Sequence, residues 1–410
     1  MITAAVIFAL TYLVIGLQRV PRLHLGRPAG ALLGATAMVA CGVIDFDAAR
    51  QAIDMETILF LLGMMIVLAY LELSGFFELV ERRILGMARS PRGLLWLLVI
   101  SSGLLSALFM NDTVCLMLTP MVVRVTRRLD LPPAPYLIAL ATAANIGSAA
   151  TLLGNPQNAL IGVRSGISLL PFVARLGPVA VVGLLLDGAI LAWLYRRSID
   201  GRPLVVPAPR QRPEVHRWML TAGLLAGAGM VVALACGARP AAAAMAAAAA
   251  VVLAGATRPS RALQQVDWSL LLFFGGLFVV MRGVQEAGLA HALVAGVAGP
   301  LAPVTGEALA RLALAATALS QAVSNVPAVM LFVPAVETLP PAAAAAVWPA
   351  LAAFSTLAGN LTIIASVANV IVFESARRDG VEVGFLEYLR AGLPVTVATL
   401  LVAWLSLAFL

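Results

Sequence analysis

Lysine is absent from this 410-residue chain, so all 27 basic residues are arginine. With 20 acidic residues, charged side chains make up only 11% of the sequence, against roughly 25% in soluble domains. That scarcity excludes a string of independently soluble domains. The net charge of +7 would suit nucleic acid, yet the arginines sit in short loops between apolar runs rather than on one soluble face. Cysteine is nearly absent too. Cys41, Cys115 and Cys236 lie far apart in apolar runs, with no CxxC or Cys/His metal spacing, and are expected to pack as small buried hydrophobes.

Enzymatic signatures are equally missing. Gly154-Asn-Pro-Gln-Asn158 has neither the lysine nor the preceding strand of a phosphate loop, so ATP could enter only through a separate subunit. An intramembrane aspartyl protease needs two facing aspartates. Asp112 and Asp187 are the candidates, and the Gly-x-Gly-Asp flank is absent. No catalytic residue, resident metal or cofactor is assigned, apart from Na⁺ or H⁺ as a coupling ion.

What the chain has in quantity is hydrophobic sequence, at 61%. Apolar runs long enough to cross about 30 Å of hydrocarbon recur throughout. The first, residues 2–17, lacks a basic leader and a cleavage pattern and reads as a membrane helix. Ten crossings are predicted, at 2–17, 28–44, 56–79, 134–163, 173–195, 217–236, 240–257, 268–285, 342–373 and 389–409. Residues 93–123 are too long for one span and carry arginines at both ends, which predicts a re-entrant hairpin with its tip near Asn111-Asp112-Thr113. Residues 306–337 predict a second, with its tip near Ser324-Asn325-Val326 and Pro327 in the first turn of the returning limb.

Placing the N-terminus outside puts 21 of the 27 arginines on the cytoplasmic side. Both termini are then periplasmic, in a bacterial inner membrane.

Three blocks recur in order. Residues 57–63 match 269–275, NDTVCLMLTP at 111–120 matches NVPAVMLFVP at 325–334, and 151–158 matches 362–369. Each half holds five crossings and a hairpin, and an odd number of crossings inverts the second half. The expected fold is an all-α polytopic membrane protein of two inverted repeats, each with five transmembrane helices, one re-entrant hairpin and a broken helix at the midplane. The N-terminal repeat covers 1–195 (scaffold 1–90, hairpin 93–127, broken helix 134–163, helix 173–195). A cytoplasmic linker covers 196–216. The C-terminal repeat covers 217–410 (scaffold 217–285, hairpin 306–337, broken helix 342–373, helix 389–409).

Polar residues cluster at the hairpin tips and in the two broken helices. Gly, Asn and Pro at these densities do not sustain a helix, and irregular backbone at membrane depth survives only where it lines protein or an aqueous cavity. Helix N-termini aimed at the midplane suit an anion or oxygen-rich solute, and free carbonyls and Asn, Ser and Thr oxygens suit a hard cation. The expected substrate-binding residues are Asn111, Thr113, Ser324, Asn325, Asn158 and Asn369. Those for cation coupling are Asp112, Asn145, Ser148, Thr151, Asn360, Thr362, Ser366 and Asp187. The competing reading makes the Asn, Ser and Thr residues interhelical glue. Asp112 is read as a cation or proton carrier or as a helix cap, and Asp187 as a proton relay or the partner of an arginine. Glu307 and Arg311, four apart, read as a local pair.

The motifs at 111–120, 145–158 (NIGSAATLLGNPQN), 324–334 (SNVPAVMLFVP) and 358–372 (AGNLTIIASVANVIV) resemble the ion transporter superfamily. It includes arsenite permeases, NhaD-type Na⁺/H⁺ antiporters and divalent-anion:sodium symporters. The resemblance spans nearly the whole chain and is nearest to YbiR-type anion permeases with a citrate-transporter-like domain. It implies a homodimer in which a transport domain slides past a scaffold as an elevator. In the dicarboxylate branch both tips read Ser-Asn-Thr; here only Asn111, Thr113, Ser324 and Asn325 carry over, and Asp112 points towards proton coupling. The expected function is secondary transport of a small anion or oxyacid coupled to H⁺ or Na⁺. Arsenite or antimonite efflux and cation/proton antiport are the alternatives within the superfamily. Two occluding hairpins argue against an open channel.

Overall fold

A computed structural model describes residues 1–17, 26–199, 204, 214–254 and 259–409. Most of the expected linker, 200–203 and 205–213, lies outside the described residues, as do the arginine-bearing loops 18–25 and 255–258. The N-terminal half contains α1 (Ile2–Leu17), α2 (Arg27–Ala40), α3 (Phe46–Ala52), α4 (Met55–Leu73), α5 (Phe76–Met87), α6 (Pro91–Leu108), α7 (Asn111–Arg128), α8 (Pro133–Ser148), α9 (Pro156–Ser165) and α10 (Leu169–Leu194). The C-terminal half contains α11 (Arg217–Ala235), α12 (Pro240–Leu253), α13 (Pro259–Gln265), α14 (Trp268–Glu286), α15 (Leu289–Ala298), α16 (Gly306–Val323), α17 (Asn325–Glu337), α18 (Pro341–Ala358), α19 (Val367–Arg378) and α20 (Phe385–Phe409). Seven of these helices are long and apolar enough to cross a membrane.

The halves correspond helix for helix, and their packing does too. α2 lies on α14 as α12 lies on α4; α6 packs on α8 as α16 does on α18; α7 meets α19 as α17 meets α9. The close crossings repeat as well. A Cβ on Gly63 would stand 2.6 Å from the Ala244 carbonyl carbon, and one on Gly276 would stand 2.8 Å from that of Ala31. Glycine lets these backbones touch, the usual way membrane helices gain packing energy without a hydrophobic drive.

Local sequence sets the element ends. Proline opens α6, α8, α9, α12 and α18, where a missing N–H costs nothing. Asp54 and its counterpart Asp267 cap α4 and α14 by accepting from the Thr57 and Leu270 N–H groups, each at 3.0 Å. Asp54 also pairs with Arg164 of α9 at 2.8 Å. Asp54→Ala should therefore lower stability by about 1–2 kcal/mol, and Asp54→Asn should recover most of that. Unfolding in detergent checks it; equal losses in both variants would assign the effect to the Arg164 pair instead.

The predicted breaks are present. α6 and α7 form the first hairpin, turning at Phe109-Met110, and α16 and α17 form the second, turning at Ser324. The crossing at 134–163 is interrupted between Ser148 and Pro156. That at 342–373 is interrupted between Ala358 and Val367, with one 3₁₀ turn at Ile363–Ala365.

Some boundaries differ. The expected span 56–79 ends at Leu73, because Gly75 adopts φ 83° and α5 starts anew. α5 is amphipathic, with Glu78, Glu81, Arg82 and Arg83 along its length. The short helices α3, α13 and α15 are likewise absent from the hydropathy reading. The expectation that the cysteines are buried holds for Cys115 alone. Cys41 and Cys236 are exposed because they sit at the C-caps of α2 and α11, beyond the packed part of each helix.

Candidate functional site

The hairpin tips and helix breaks converge. One small cavity is lined by Asn111 and Asp112 of α7, Pro156 and Gln157 of α9, Ser324, Asn325 and Val326 at the start of α17, and Ser366 and Val367 at the start of α19. Four helix N-termini, two from each repeat, thus meet at one point. Leu270, Phe273 and Phe274 of α14 close the remaining side. The free space is about 20 Å³, room for roughly one water.

The N-cap residues Met110, Ser324 and Ser366 give no side-chain hydrogen bond to α7, α17 and α19. On α7 the Asn111 and Asp112 N–H groups already donate to the Gly154 carbonyl and to Asn111 Oδ1, and on α9 Asn155 caps the Asn158 N–H. It is therefore mainly the first turns of α17 and α19, each helix end carrying about half a positive charge, that are left for a solute. Among the described residues Asp112 is the one ionisable side chain in the lining. Among the described residues its carboxyl makes no hydrogen bond or ion pair, while the charges of Arg27 and Asp267 act on it from α2 and the α14 cap.

The second tip is held in an unusual conformation. Ser324 has φ 71°, a region that side chains rarely adopt, and its hydroxyl donates to the Ala365 carbonyl at 3.1 Å. Asn325, with its amide oriented as its partners require, donates to the carbonyls of Ala365 and Ser355, both at 3.1 Å. The first tip is tied differently. The Asn111 N–H donates to Gly154 at 2.8 Å, and its side-chain amide donates to Asn145 Oδ1 at 3.0 Å.

Behind the cavity lies a buried polar network that obeys the repeat residue by residue. Asn158 Nδ2 donates to the carbonyls of Ser148 (3.1 Å) and Thr151 (2.9 Å). Asn369 Nδ2 donates to those of Gly359 (2.7 Å) and Thr362 (3.1 Å), the same three positions 211 residues on. Each asparagine replaces the hydrogen bonds that its broken helix forgoes. The repeats are also stitched together. Asn145 Nδ2 donates to Oδ1 of Asn360 and of Asn369, both at 2.9 Å. Its counterpart Thr356 donates to Asn158 Oδ1 at 3.4 Å. Asn155 Nδ2 donates to Thr356 Oγ1 at 3.2 Å, and its counterpart Ser366 donates to Asn145 Oδ1 at 3.0 Å.

The predicted residues thus separate into layers. Asn111, Asp112, Ser324, Asn325 and Ser366 line the cavity. Asn145, Ser148, Asn158, Asn360 and Asn369 are fully buried behind it, with their side chains bonded to one another and to broken-helix carbonyls. Thr151 and Thr362 tie those breaks to the hairpins, donating to the Ala107 carbonyl at 2.5 Å and to Gln321 Oε1 at 2.8 Å. Thr113 lies in the first turn of α7 outside the lining.

Asp187 is elsewhere. It is fully buried on α10, beside Thr142 of α8 and Tyr388 of α20. Among the described residues neither of its carboxyl oxygens has a hydrogen-bond partner, and no arginine pairs with it. The pair expected between Glu307 and Arg311 is made.

Sequence reasoning missed Asn155, Gln157 and Thr356 in the network, and the apolar wall of α14. Stepping 211 residues from Asn145 and Ser366 would have found Thr356 and Asn155. Among the described residues no group of three or more His, Cys, Asp or Glu side chains is placed to hold a metal.

The comparisons with known proteins agree with this architecture. Residues 10–358 match the family model CitMHS, citrate transporter. The silicon efflux transporter LSI3 of Oryza sativa subsp. japonica is 31% identical, covering 97% of this chain and 95% of that protein. The inner membrane protein YbiR of Escherichia coli (strain K12) is 30% identical, covering 68% of this chain and 71% of its own. The crystal structure of the Alcanivorax borkumensis YdaH transporter superposes with a TM-score of 0.55 at 17% identity, covering 92% of this chain and 86% of that one. The fold, the convergent helix breaks and these relatives lead to one assignment: the chain is a multi-pass membrane transporter that belongs to the CitMHS citrate transporter family of the ion transporter superfamily.

Proposed function

We propose that the chain is a proton-coupled secondary transporter of a small, hydroxyl-rich oxyacid. The observation that carries this reading is the meeting of four helix N-termini around Asp112. Converging N–H dipoles favour oxygen acceptors. Among the described residues the lining contains no arginine to balance the carboxylates of citrate, and its volume is far below that of a tricarboxylate. A compact neutral oxyacid needs no balancing cation, and of these solutes it asks the least enlargement of a space sized for about one water. The rice relative, named for silicon efflux, supports the choice, since silicon in neutral water is an uncharged tetrahydroxy acid.

A proton suits the site better than Na⁺. A hard cation needs several oxygen ligands at once. The Oδ1 atoms of Asn145, Asn360 and Asn369 already accept amide or hydroxyl protons, and Asp112 is the carboxyl left free. For alternating access we assign α6–α10 and α16–α20 to a moving transport domain, and the helices of α1–α5 and α11–α15 to the scaffold. The cavity lies where the tips of the first group meet α14 of the second, so a sliding motion would carry the site along that wall.

Purified protein in liposomes tests the proposal. An imposed pH gradient should drive movement of arsenite or silicic acid, a protonophore should abolish it, and citrate should neither move nor compete. Flux indifferent to the pH gradient, or gradient-driven citrate movement, overturns it.

A further inference from the structure

A second cavity, of about 690 Å³, lies away from the midplane between the end of α10 and the start of α20. It is lined by Trp193, Tyr195, Arg196, Arg197, Ser198, Leu386, Glu387 and Arg390. Three arginines and one glutamate line it, and among the described residues none of the three arginines is within ion-pair distance of an acid. Arg196 instead lies 5.6 Å above the Trp193 ring. We propose that this pocket binds the phosphate headgroup of an anionic membrane lipid.

Position argues for a lipid. α10 and α20 are membrane-spanning helices whose outer faces expose Leu185, Leu393 and Val397. The pocket sits where those apolar faces stop and the arginines begin. Trp193 and Leu386, 66% and 77% exposed, form an apolar rim towards the bilayer. Indole rings settle at the headgroup level, and guanidinium forks match phosphate oxygens in bidentate fashion. A headgroup in the pocket would send its acyl chains down the exposed faces of α10 and α20. A soluble anion would use the arginines but gain nothing from that rim. The cavity volume also falls within the range of small-molecule sites.

Native mass spectrometry of the whole protein in detergent, with phosphatidylglycerol or phosphatidylcholine added, tests this. Wild type should retain phosphatidylglycerol in preference to phosphatidylcholine. Each arginine lost should weaken phosphatidylglycerol binding about fivefold, and Arg196→Gln/Arg197→Gln/Arg390→Gln together on the order of a hundredfold, with phosphatidylcholine unaffected. Arg390→Gln alone supplies the fivefold reading should the triple variant fail to purify as a folded species. Equal phosphatidylglycerol retention by wild type and folded variants overturns the site. So does inorganic phosphate that displaces phosphatidylglycerol at equal concentration, because the pocket would then serve a soluble anion.

Discussion

Asp112→Asn should abolish gradient-driven transport in liposomes while leaving a folded protein that still binds its solute. Among the described residues Asp112 is the only ionisable group lining the cavity, and asparagine matches its shape without carrying a proton. The substitution removes a charge from the first turn of α7, where a carboxylate stabilises the helix by about 0.3–1 kcal/mol. Stability should fall by no more than about that, because Asp112 makes no ion pair among the described residues. Solute-induced thermal stabilisation should persist in the variant, since the N–H groups and Asn111, Ser324 and Asn325 remain. Asp112→Glu should keep coupled flux above background, because the titrating group survives. Full pH-driven flux in Asp112→Asn would remove the proton from the mechanism. Loss of both binding and fold would make Asp112 a structural residue.

The repeat itself was legible in sequence because it leaves a nearly constant offset between recurring blocks. Ser148, Thr151 and Asn158 recur as Gly359, Thr362 and Asn369, and the same hydrogen bonds recur with them. The breaks were legible because Gly, Asn and Pro cluster there too densely to sustain a helix, whereas the single prolines Pro120, Pro178, Pro334, Pro349 and Pro394 stay within theirs. The direction in which each asparagine points was not. Asn158 and Asn369 were expected to face solute, yet their donors turn back to the carbonyls that their own breaks expose. That choice depends on which groups lack partners after packing, which no spacing reveals.

Asp187 shows a second limit. Aligning Pro178 with Pro394 sets it opposite Ala403, so the repeat carries no information about its partners. α5 escaped because its apolar residues occupy one face, and α3, α13 and α15 because at 7, 7 and 10 residues they are too short to register as spans. The two exposed cysteines escaped because an apolar run does not reveal where its helix stops.

Asn145→Ala should cause the largest loss of stability of any single substitution in the site. Asn145 uses its full capacity. Its amide donates to Asn360 and Asn369, and its oxygen accepts from Asn111 and Ser366. Alanine leaves four polar groups without that partner, all of them within the protein. Each unsatisfied buried group costs about 1–3 kcal/mol, so the loss is comparable with a whole domain's stability of about 5–15 kcal/mol. The expected result is failure to accumulate in the membrane, or a collapse of the thermal transition in detergent. Thr356→Ala at the equivalent position should cost less, because Thr356 joins a weaker set of contacts at 3.2–3.4 Å. This inequality separates the network from generic packing. The two positions are related by the repeat and both fully buried, so helix glue alone would make the variants alike. Similar transition temperatures for the two would mean that Asn145 is not the hub joining the first hairpin to both broken helices. An Asn145→Ala protein that folds and transports normally would go further, because the cavity would then keep its shape without the network that is held here to position its four helix ends.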